Sequence, residues 1–155
     1  MADGFDIRVL GIPELQAQLE KLAVQTQKRV LGKAMKAGAQ KVLAKAKQLC
    51  PVGPVKQNGE HLRDTLRVIT LKGRGKFIGA AVSTGSRERL GIDPKDKHYY
   101  PMALEVGHGT VAARPYMRPA LDGQRDAVIA VIADEIGKGI IQEAGKSIPA
   151  SRGGS

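Results

Sequence analysis

The sequence predicts an α+β chain in which helices at both ends flank a short antiparallel hairpin. Apolar residues recur at helical spacing over residues 15–49 and 128–140, and two short apolar runs between them are separated by a turn that contains glycine. The length of 155 residues suits one domain. We place that domain at residues 1–144 and a flexible tail at residues 145–155, because the tail has little that could pack.

The amino-acid composition excludes several classes of protein. The chain has no Trp, two Phe and three Tyr, which argues against an aromatic-lined ligand pocket and against a base-stacking platform for single-stranded nucleic acid. Cys50 is the single cysteine, so we expect no internal disulfide, no thiolate metal site and a cytosolic compartment. No stretch approaches the about 20 apolar residues of a membrane span, and no secretion signal is evident, so no membrane partner is expected.

Most of the positive charge lies in one part of the chain. The sequence has 25 basic and 15 acidic residues, a formal net charge of +10. Residues 21–59 hold nine basic residues and no acidic residue. Such a concentration of charge attracts polyanions, nucleic acid first among them. The alternative interpretation is a Lys-rich helix face that is merely solvated.

The first expected elements are a strand and a helix. Residues Phe5 to Val9 alternate apolar and charged side chains, which is typical of a half-buried strand. Pro13 and Glu14 suit a first helical turn, because proline lacks an N–H that would be unpaired there and the acid favours the positive end of the helix dipole. The spacing that follows predicts one long amphipathic helix, or two helices broken near residues 25–27.

The long helix is expected to have an apolar and a basic face. We expect the apolar stripe to consist of Leu31, Met35, Val42 and Leu49. On a helical wheel of about 100° per residue, four basic residues fall opposite this stripe. We call them the basic face: Arg29, Lys33, Lys36 and Lys47. Pro51 ends the helix, and Cys50 before it is interpreted as a small packed residue rather than a nucleophile.

A hairpin and a loop follow the helix. Residues 66–71 and 77–82 are rich in β-branched and aliphatic side chains, and a charged glycine-containing tip at 72–76 separates them. This tip lacks the following helix and the Lys-Ser/Thr pair of a phosphate-binding loop. Residues 85–98 are polar and charged, and we expect them to form a mobile surface loop.

Residues 99–122 are the most distinctive part of the sequence. A short helical turn is expected over Met102–Val106, ended by Gly107, because glycine adopts the left-handed cap without a Cβ penalty. The Arg-Pro steps at 114–115 and 118–119 push the residue before each proline into an extended conformation. We therefore expect an ordered, irregular segment here, and we call residues 99–122 the arm.

A last helix is predicted after the arm. It is expected from residue 120 to residue 144, with Pro119 at or just before its first turn. Its apolar stripe would consist of Val128, Ile132, Ile136 and Ile140.

No set of residues indicates a catalytic or metal site. The candidate metal ligands are three histidines that lack a second ligand at a suitable spacing: His61, His98 and His108. We therefore expect a non-enzymatic protein that needs no cofactor and no metal. Glu105 is interpreted as the partner of Arg114 or Arg118 in a structural or inter-subunit ion pair, since a guanidinium can hold a carboxylate with two hydrogen bonds.

The arm resembles the signature of a phage protein family. Residues 100–110 read Tyr-x-x-x-Leu-Glu-Val-Gly-His-Gly-Thr, and residues 113–122 read Ala-Arg-Pro-Tyr-Met-Arg-Pro-Ala-Leu-Asp. This order is similar to that in the tail-completion or neck proteins of long-tailed bacteriophages, the head-tail connector group that includes the lambda minor tail protein Z. The resemblance extends over residues 5–144, although Val106 stands where the family often has an aromatic residue. Three further segments agree in order: residues 11–15, 50–52 and 59–66.

The resemblance implies a fold, a place in the virion and a set of contacts. The fold would be α+β and similar to tail terminators, with a small antiparallel sheet packed by a long N-terminal helix and a C-terminal helix. The protein would be a structural virion component, assembled in the host cytoplasm. Its copies would form a ring at the head–tail junction, with six copies favoured and twelve as the alternative.

That ring would complete the tail and join it to the head. Its partners would be the head-closure and portal proteins, the tail terminator and tail tube, and the genomic DNA that passes through its channel without sequence-specific contact. A closed ring needs two different contact patches on each subunit. The family-motif residues are expected at the inter-subunit contacts: Tyr100, Glu105, Gly107, Arg114, Pro115, Arg118 and Pro119.

Two questions stay open at this stage. The basic face could meet the DNA backbone in the channel, or it could meet acidic surfaces on a partner ring, which we favour because DNA must slide. The alternative for the whole chain is a small, monomeric nucleic-acid-binding protein that uses the same basic face.

Overall fold

Two long helices that pack against each other organise the structure. The computed structural model describes residues 11–53, 59–73, 77–97 and 99–147. The elements in chain order are α1 (Ile12–Glu20), α2 (Val24–Leu49), α3 (Leu62–Thr65), β1 (Arg67–Lys72), β2 (Ile78–Ser83), α4 (Tyr100–Val106), α5 (Met117–Gly123) and α6 (Arg125–Ser147). Helix α2 packs against α6 on one side and against the β1–β2 hairpin and α5 on others. The predicted α+β class, a small antiparallel sheet packed by long helices, is confirmed.

The N-terminal helical region consists of two helices, as one of the two alternatives predicted. Pro13 lies in the first turn of α1. The break falls slightly before the expected place, because Ala23 has extended backbone angles and is the N-cap of α2. The side chain of Gln27 stabilises the break by donating a hydrogen bond to the carbonyl oxygen of Leu22 at 2.8 Å. The strand predicted at Phe5 to Val9 lies outside the described residues.

The buried face of α2 is built from small residues. Its buried members are Val30, Ala34, Gly38, Val42 and Ala46. A Cβ atom on Gly38 would lie 2.8 Å from Cγ1 of Ile132 in α6, and one on Gly139 would lie 2.7 Å from Cγ1 of Val30. Small side chains therefore let α2 and α6 approach closely, which large ones would prevent.

This arrangement corrects the predicted apolar stripe of α2. Of the four residues predicted, Val42 is buried, Leu31 and Met35 are half-buried, and Leu49 is exposed. The prediction followed the large aliphatic side chains, whereas the centre of the contact is set by how closely two backbones can approach. The basic face still lies opposite the buried face, and all four of its residues are exposed.

The predicted hairpin is confirmed. Strands β1 and β2 pair antiparallel, with Val68 opposite Val82 and Leu71 opposite Gly79. Val82 packs against the core cluster, which also contains Cys50. Residues 74–76 at the tip lie outside the described residues.

The loop after β2 is packed and not a mobile surface loop. Leu90 and Ile92 are both buried in the core. The backbone N–H of Glu60 donates to the carbonyl oxygen of Arg89 at 2.7 Å, and the same two side chains form a two-pronged ion pair. Two apolar side chains in a polar stretch are enough to fix the loop, because each fills the space beneath it. His98, at its end, lies outside the described residues.

The C-terminal region departs from the prediction at Arg118. This residue lies in the first turn of α5 and is not extended, and Pro119 lies in the same first turn, close to its predicted place. A proline is tolerated there because the N–H groups of a first helical turn have no partner within the helix. The predicted last helix is divided at Gln124 into α5 and α6, and α6 continues to Ser147. Residues 148–155 lie outside the described residues, and the domain boundary at residue 144 stays a prediction.

Candidate assembly surface on the arm

The arm is anchored in the core by three of its residues. The ring of Tyr116 is almost completely buried, and Ala120 of α5 is fully buried. Burial also raises the pKa of the Tyr116 phenol well above its ordinary value. Pro101 is buried at the start of α4. One side of the arm is therefore part of the hydrophobic core, as expected for a segment that packs within a domain.

Tyr99 fixes the point at which the arm begins. Its hydroxyl forms a hydrogen bond with the hydroxyl of Thr84, just after β2. The guanidinium of Arg87 lies over the Tyr99 ring, 5.3 Å from its centroid, in a cation–π contact. The start of the arm is thus tied to the loop that follows the hairpin. Tyr100, a predicted contact residue, is half-buried against the same core.

Glu105 holds the two halves of the arm together. Its carboxylate accepts hydrogen bonds from the backbone N–H groups of Tyr116 at 3.0 Å, Met117 at 3.1 Å and Arg118 at 2.9 Å. These groups begin α5, whose own N-cap residue supplies no side-chain hydrogen bond. The carboxylate therefore acts as the cap of α5 from a distant point in the sequence.

Electrostatics at Glu105 agree with this geometry. Partial burial raises the pKa of the carboxyl, but the three backbone donors and the nearby charge of Arg118 outweigh it, so the pKa lies below its ordinary value. No arginine guanidinium lies within ion-pair distance of the Glu105 carboxylate in the described part of the chain. Within one chain, the predicted ion pair with Arg114 or Arg118 is therefore replaced by backbone hydrogen bonds. Arg114 instead donates its backbone N–H to the carbonyl oxygen of Leu104 at 2.7 Å.

Gly107 allows the chain to turn tightly after α4. Its φ angle is +79°, in the region that favours glycine, and a Cβ atom there would lie 3.1 Å from the carbonyl oxygen of Val111. The turn that follows is closed by paired backbone hydrogen bonds between His108 and Val111, at 3.1 and 2.8 Å. Between α4 and α5 the arm is thus ordered and irregular, as predicted.

The outer side of the arm carries apolar side chains that contact solvent. Four of them are more than half exposed: Met102 at 59%, Val106 at 63%, Val111 at 57% and Leu121 at 54%. Beside Val106 lies an open cavity of about 480 Å³, lined also by Glu105, Pro115, Arg118, Pro119 and Asp122. We call the four apolar side chains and this cavity the arm surface.

The predicted motif residues divide between two roles within the arm. Arg114, Pro115, Arg118 and Pro119 are exposed, whereas Glu105 and Gly107 shape the arm from within. Sequence reasoning missed the four exposed apolar side chains. No local pattern marked them, because Met102, Val106 and Leu121 lie in α4 or α5 and an apolar residue type does not by itself indicate exposure.

Half of the basic face is paired within the chain. Arg29 forms an ion pair with Glu143, and Nζ of Lys33 lies 3.9 Å from a carboxylate oxygen of Glu135, both on α6. For Lys36 and Lys47, the residues that the structure describes offer no acidic group at ion-pair distance. Exposed pairs of this kind are screened by solvent and contribute little to stability.

Other candidate sites gain little support. Over residues 11–53, 59–73, 77–97 and 99–147, no three His, Cys, Asp or Glu side chains lie close enough to hold a metal ion. None of the described helices is both long and apolar enough to cross a bilayer. Cys50 is buried, and its burial raises the pKa of the thiol, which agrees with a packed residue.

Comparison with known proteins identifies the family. Residues 13–108 match the family model described as "Bacteriophage HK97-gp10, putative tail-component". The match extends over more than half of the chain, from α1 to the turn that follows Gly107. No curated protein and no solved structure matches the chain. The chain therefore belongs to the HK97-gp10-like family of bacteriophage tail components, a family of structural proteins of the virion.

Proposed function

We propose that copies of this chain form a ring at the head–tail junction of the virion. The ring completes the tail and joins it to the head-closure and portal complex, and the genomic DNA passes through its channel. Six copies match the symmetry of the tail tube, and twelve are the alternative. The proposal includes that this chain is similar to the lambda minor tail protein Z. The family membership supports a tail component that contacts other virion proteins.

The arm surface is the observation that carries the proposal. The Glu105 cap and the Tyr116 anchor order the backbone that carries these apolar side chains, so that backbone loses little freedom when a neighbour covers it. Burial of apolar surface gains about 25 cal/mol per Å². An ordered segment with exposed apolar side chains is therefore suited to protein–protein contact. Arg114, Pro115, Arg118 and Pro119 would border that contact.

We propose that the basic face meets acidic surfaces of an adjoining ring rather than DNA. Arg29 and Lys33 already have carboxylate partners on α6, which lowers the charge available to a nucleic acid. A channel must also release the DNA that it conducts. Titration of DNA with the purified chain at several salt concentrations tests this choice. We expect a shallow slope of log affinity on log salt, whereas a slope of about −0.9 per contacted phosphate would support DNA contact.

A substitution in the arm surface tests the proposal as a whole. Val106→Asp places a charge in the centre of the arm surface, and Val52→Asp is its matched control, since Val52 lies outside the arm and is 58% exposed. Heads and tails from a phage that lacks this protein would be mixed with each purified variant. We expect the wild-type chain and V52D to restore infectious particles and V106D to fail, although V106D folds normally. Full joining by V106D would contradict the proposal.

A further inference from the structure

The outer face of the hairpin is apolar and uncovered in the described structure. Successive residues of a strand lie on opposite faces. Val68 pairs with Val82, which packs on the core, so Leu71, three residues after Val68, lies on the opposite face. The ring of Phe77 lies across Gly79, where a Cβ atom would be 3.1 Å from Cζ of the ring. Phe77 is 58% exposed and Leu71 39% exposed. We call these two side chains the hairpin knob.

A second apolar feature, which no other described residue covers, lies between α1 and α6. It is a groove of about 290 Å³ whose lining is apolar except for Gln16. The apolar side chains that line it are Leu15, Leu19, Ile129, Ile132, Ala133 and Ile136. Each of these side chains is only half-buried. No residue of the hairpin lines this groove, so a hairpin that occupies it comes from another copy.

The hairpin and the groove carry opposite charges. The sequence of residues 67–83 contains four basic residues and no acidic residue: Arg67, Lys72, Arg74 and Lys76. Helix α1 contains two acidic residues, Glu14 and Glu20, and no basic residue. The carboxylate of Glu20 accepts a hydrogen bond from the groove residue Gln16 at 3.0 Å, so it borders the groove directly. At the start of α6, Arg125 and Asp126 carry opposite charges, so together they add no net charge there.

We propose that the hairpin knob of one copy inserts into the α1–α6 groove of the next copy. This inference rests on the proposed ring and specifies one contact between adjacent copies in it. Apolar side chains fill an apolar groove, and a basic hairpin lies beside an acidic helix. The knob and the groove are different patches on one chain, so the contact is head-to-tail and can repeat around a ring. The arm surface then remains for a further contact.

Cross-linking between two different single-cysteine chains tests this contact. The Phe77→Cys chain and the Leu19→Cys chain, both with Cys50→Ala, would be mixed and treated with a short bismaleimide. We expect a covalent dimer in the mixture, and little dimer when either chain is treated alone, because each contact joins one residue of each kind. The Val52→Cys chain, mixed with the Leu19→Cys chain, is the control for random collision.

Assembly of a variant chain separates this inference from the proposed function. We expect Phe77→Asp to remain monomeric by light scattering at concentrations where the wild type and Val52→Asp assemble, and Phe77→Leu to assemble as the wild type does. If F77D forms wild-type assemblies, or if V52C cross-links as well as F77C, the hairpin contact is wrong and the ring can still stand. If the wild-type chain does not assemble at high concentration and the mixture of F77C and L19C chains does not cross-link, both proposals are wrong.

Discussion

The carboxylate of Glu105 accepts the backbone N–H of Arg118 at 2.9 Å, and so joins the end of α4 to the start of α5. Together with the N–H groups of Tyr116 and Met117, this hydrogen bond lets one acidic side chain satisfy three of the unpaired donors that begin a helix. The conformation of the arm therefore depends on a single carboxylate. If the Glu105 carboxylate had paired with an arginine side chain instead, these backbone N–H groups would have lost their acceptor.

Removal of the Glu105 carboxylate is expected to destabilise the fold. Glu105→Ala leaves three N–H groups at the start of α5 without their charged acceptor, and we expect a loss of about 2 kcal/mol in the free energy of unfolding, within the range for hydrogen bonds to charged groups. Urea unfolding measures it. Glu88→Ala is the control, because Glu88 is an exposed acid in a loop. Equal effects of the two substitutions would contradict the capping role.

The stabilising effect of Glu105 is expected to depend on pH. Its pKa in the folded chain lies below the ordinary value of 4.5. A carboxyl whose pKa is lowered by folding contributes stability that is fully present above the unfolded pKa and is lost as the pH falls through the folded pKa. The difference in unfolding free energy between the wild type and Glu105→Gln should thus be constant at neutral pH and shrink below pH 4.5. A difference that grows in acid would refute this.

The close approach of α2 and α6 can be tested at two glycines of one helix. A Cβ atom on Gly38 would lie 2.8 Å from Ile132, whereas one on Gly32 would meet nothing within 4 Å. We expect Gly38→Ala to cost about 1–3 kcal/mol through overpacking, and Gly32→Ala to stabilise α2 by up to about 1 kcal/mol through helix propensity. Thermal unfolding of both variants measures which of them is the more stable. A stabilised G38A chain would show that the helices lie farther apart.

A buried hydroxyl joins α3 to the loop after the hairpin. Oγ1 of Thr65 donates to the carbonyl oxygen of Leu62 at 2.8 Å and accepts the backbone N–H of Gly85 at 3.0 Å. Thr65→Val keeps the shape but leaves the N–H of Gly85 unpaired, so we expect a cost of about 1–3 kcal/mol. Thr70→Val, on the exposed part of β1, should stay within about 0.5 kcal/mol of the wild type. Chemical denaturation of the two variants compares them.

Local patterns predicted the elements whose formation depends on nearby residues. Pro13 marked the start of α1, Pro51 the end of α2, and Gly107 the end of α4, because proline restricts the backbone and glycine permits the positive φ angle at a helix end. The β1–β2 hairpin followed from two apolar runs and a short turn in the same way. The candidate arm was found by its residue order, and its ordered turn agrees with the structure.

The errors arose where distant parts of the chain meet. The buried face of α2 centres on Gly38 because α6 approaches there, and an apolar count along one helix gives glycine no weight. Leu90 and Ile92 fill the core although their neighbours in sequence are polar. Glu105 was assigned an arginine partner because the start of α5 could not be located from the sequence. Arg118 was expected to be extended because a proline follows it, although it lies in the first turn of α5.

A reconstruction by electron cryo-microscopy of the neck of virions that contain this chain tests the central claim most directly. We expect a closed ring of six copies, or twelve, between the portal complex and the tail tube, with the side chains of Met102, Val106, Val111 and Leu121 covered by neighbouring protein. Copies found only elsewhere in the virion would contradict the account. A neck ring whose arm surface faces solvent would do so as well.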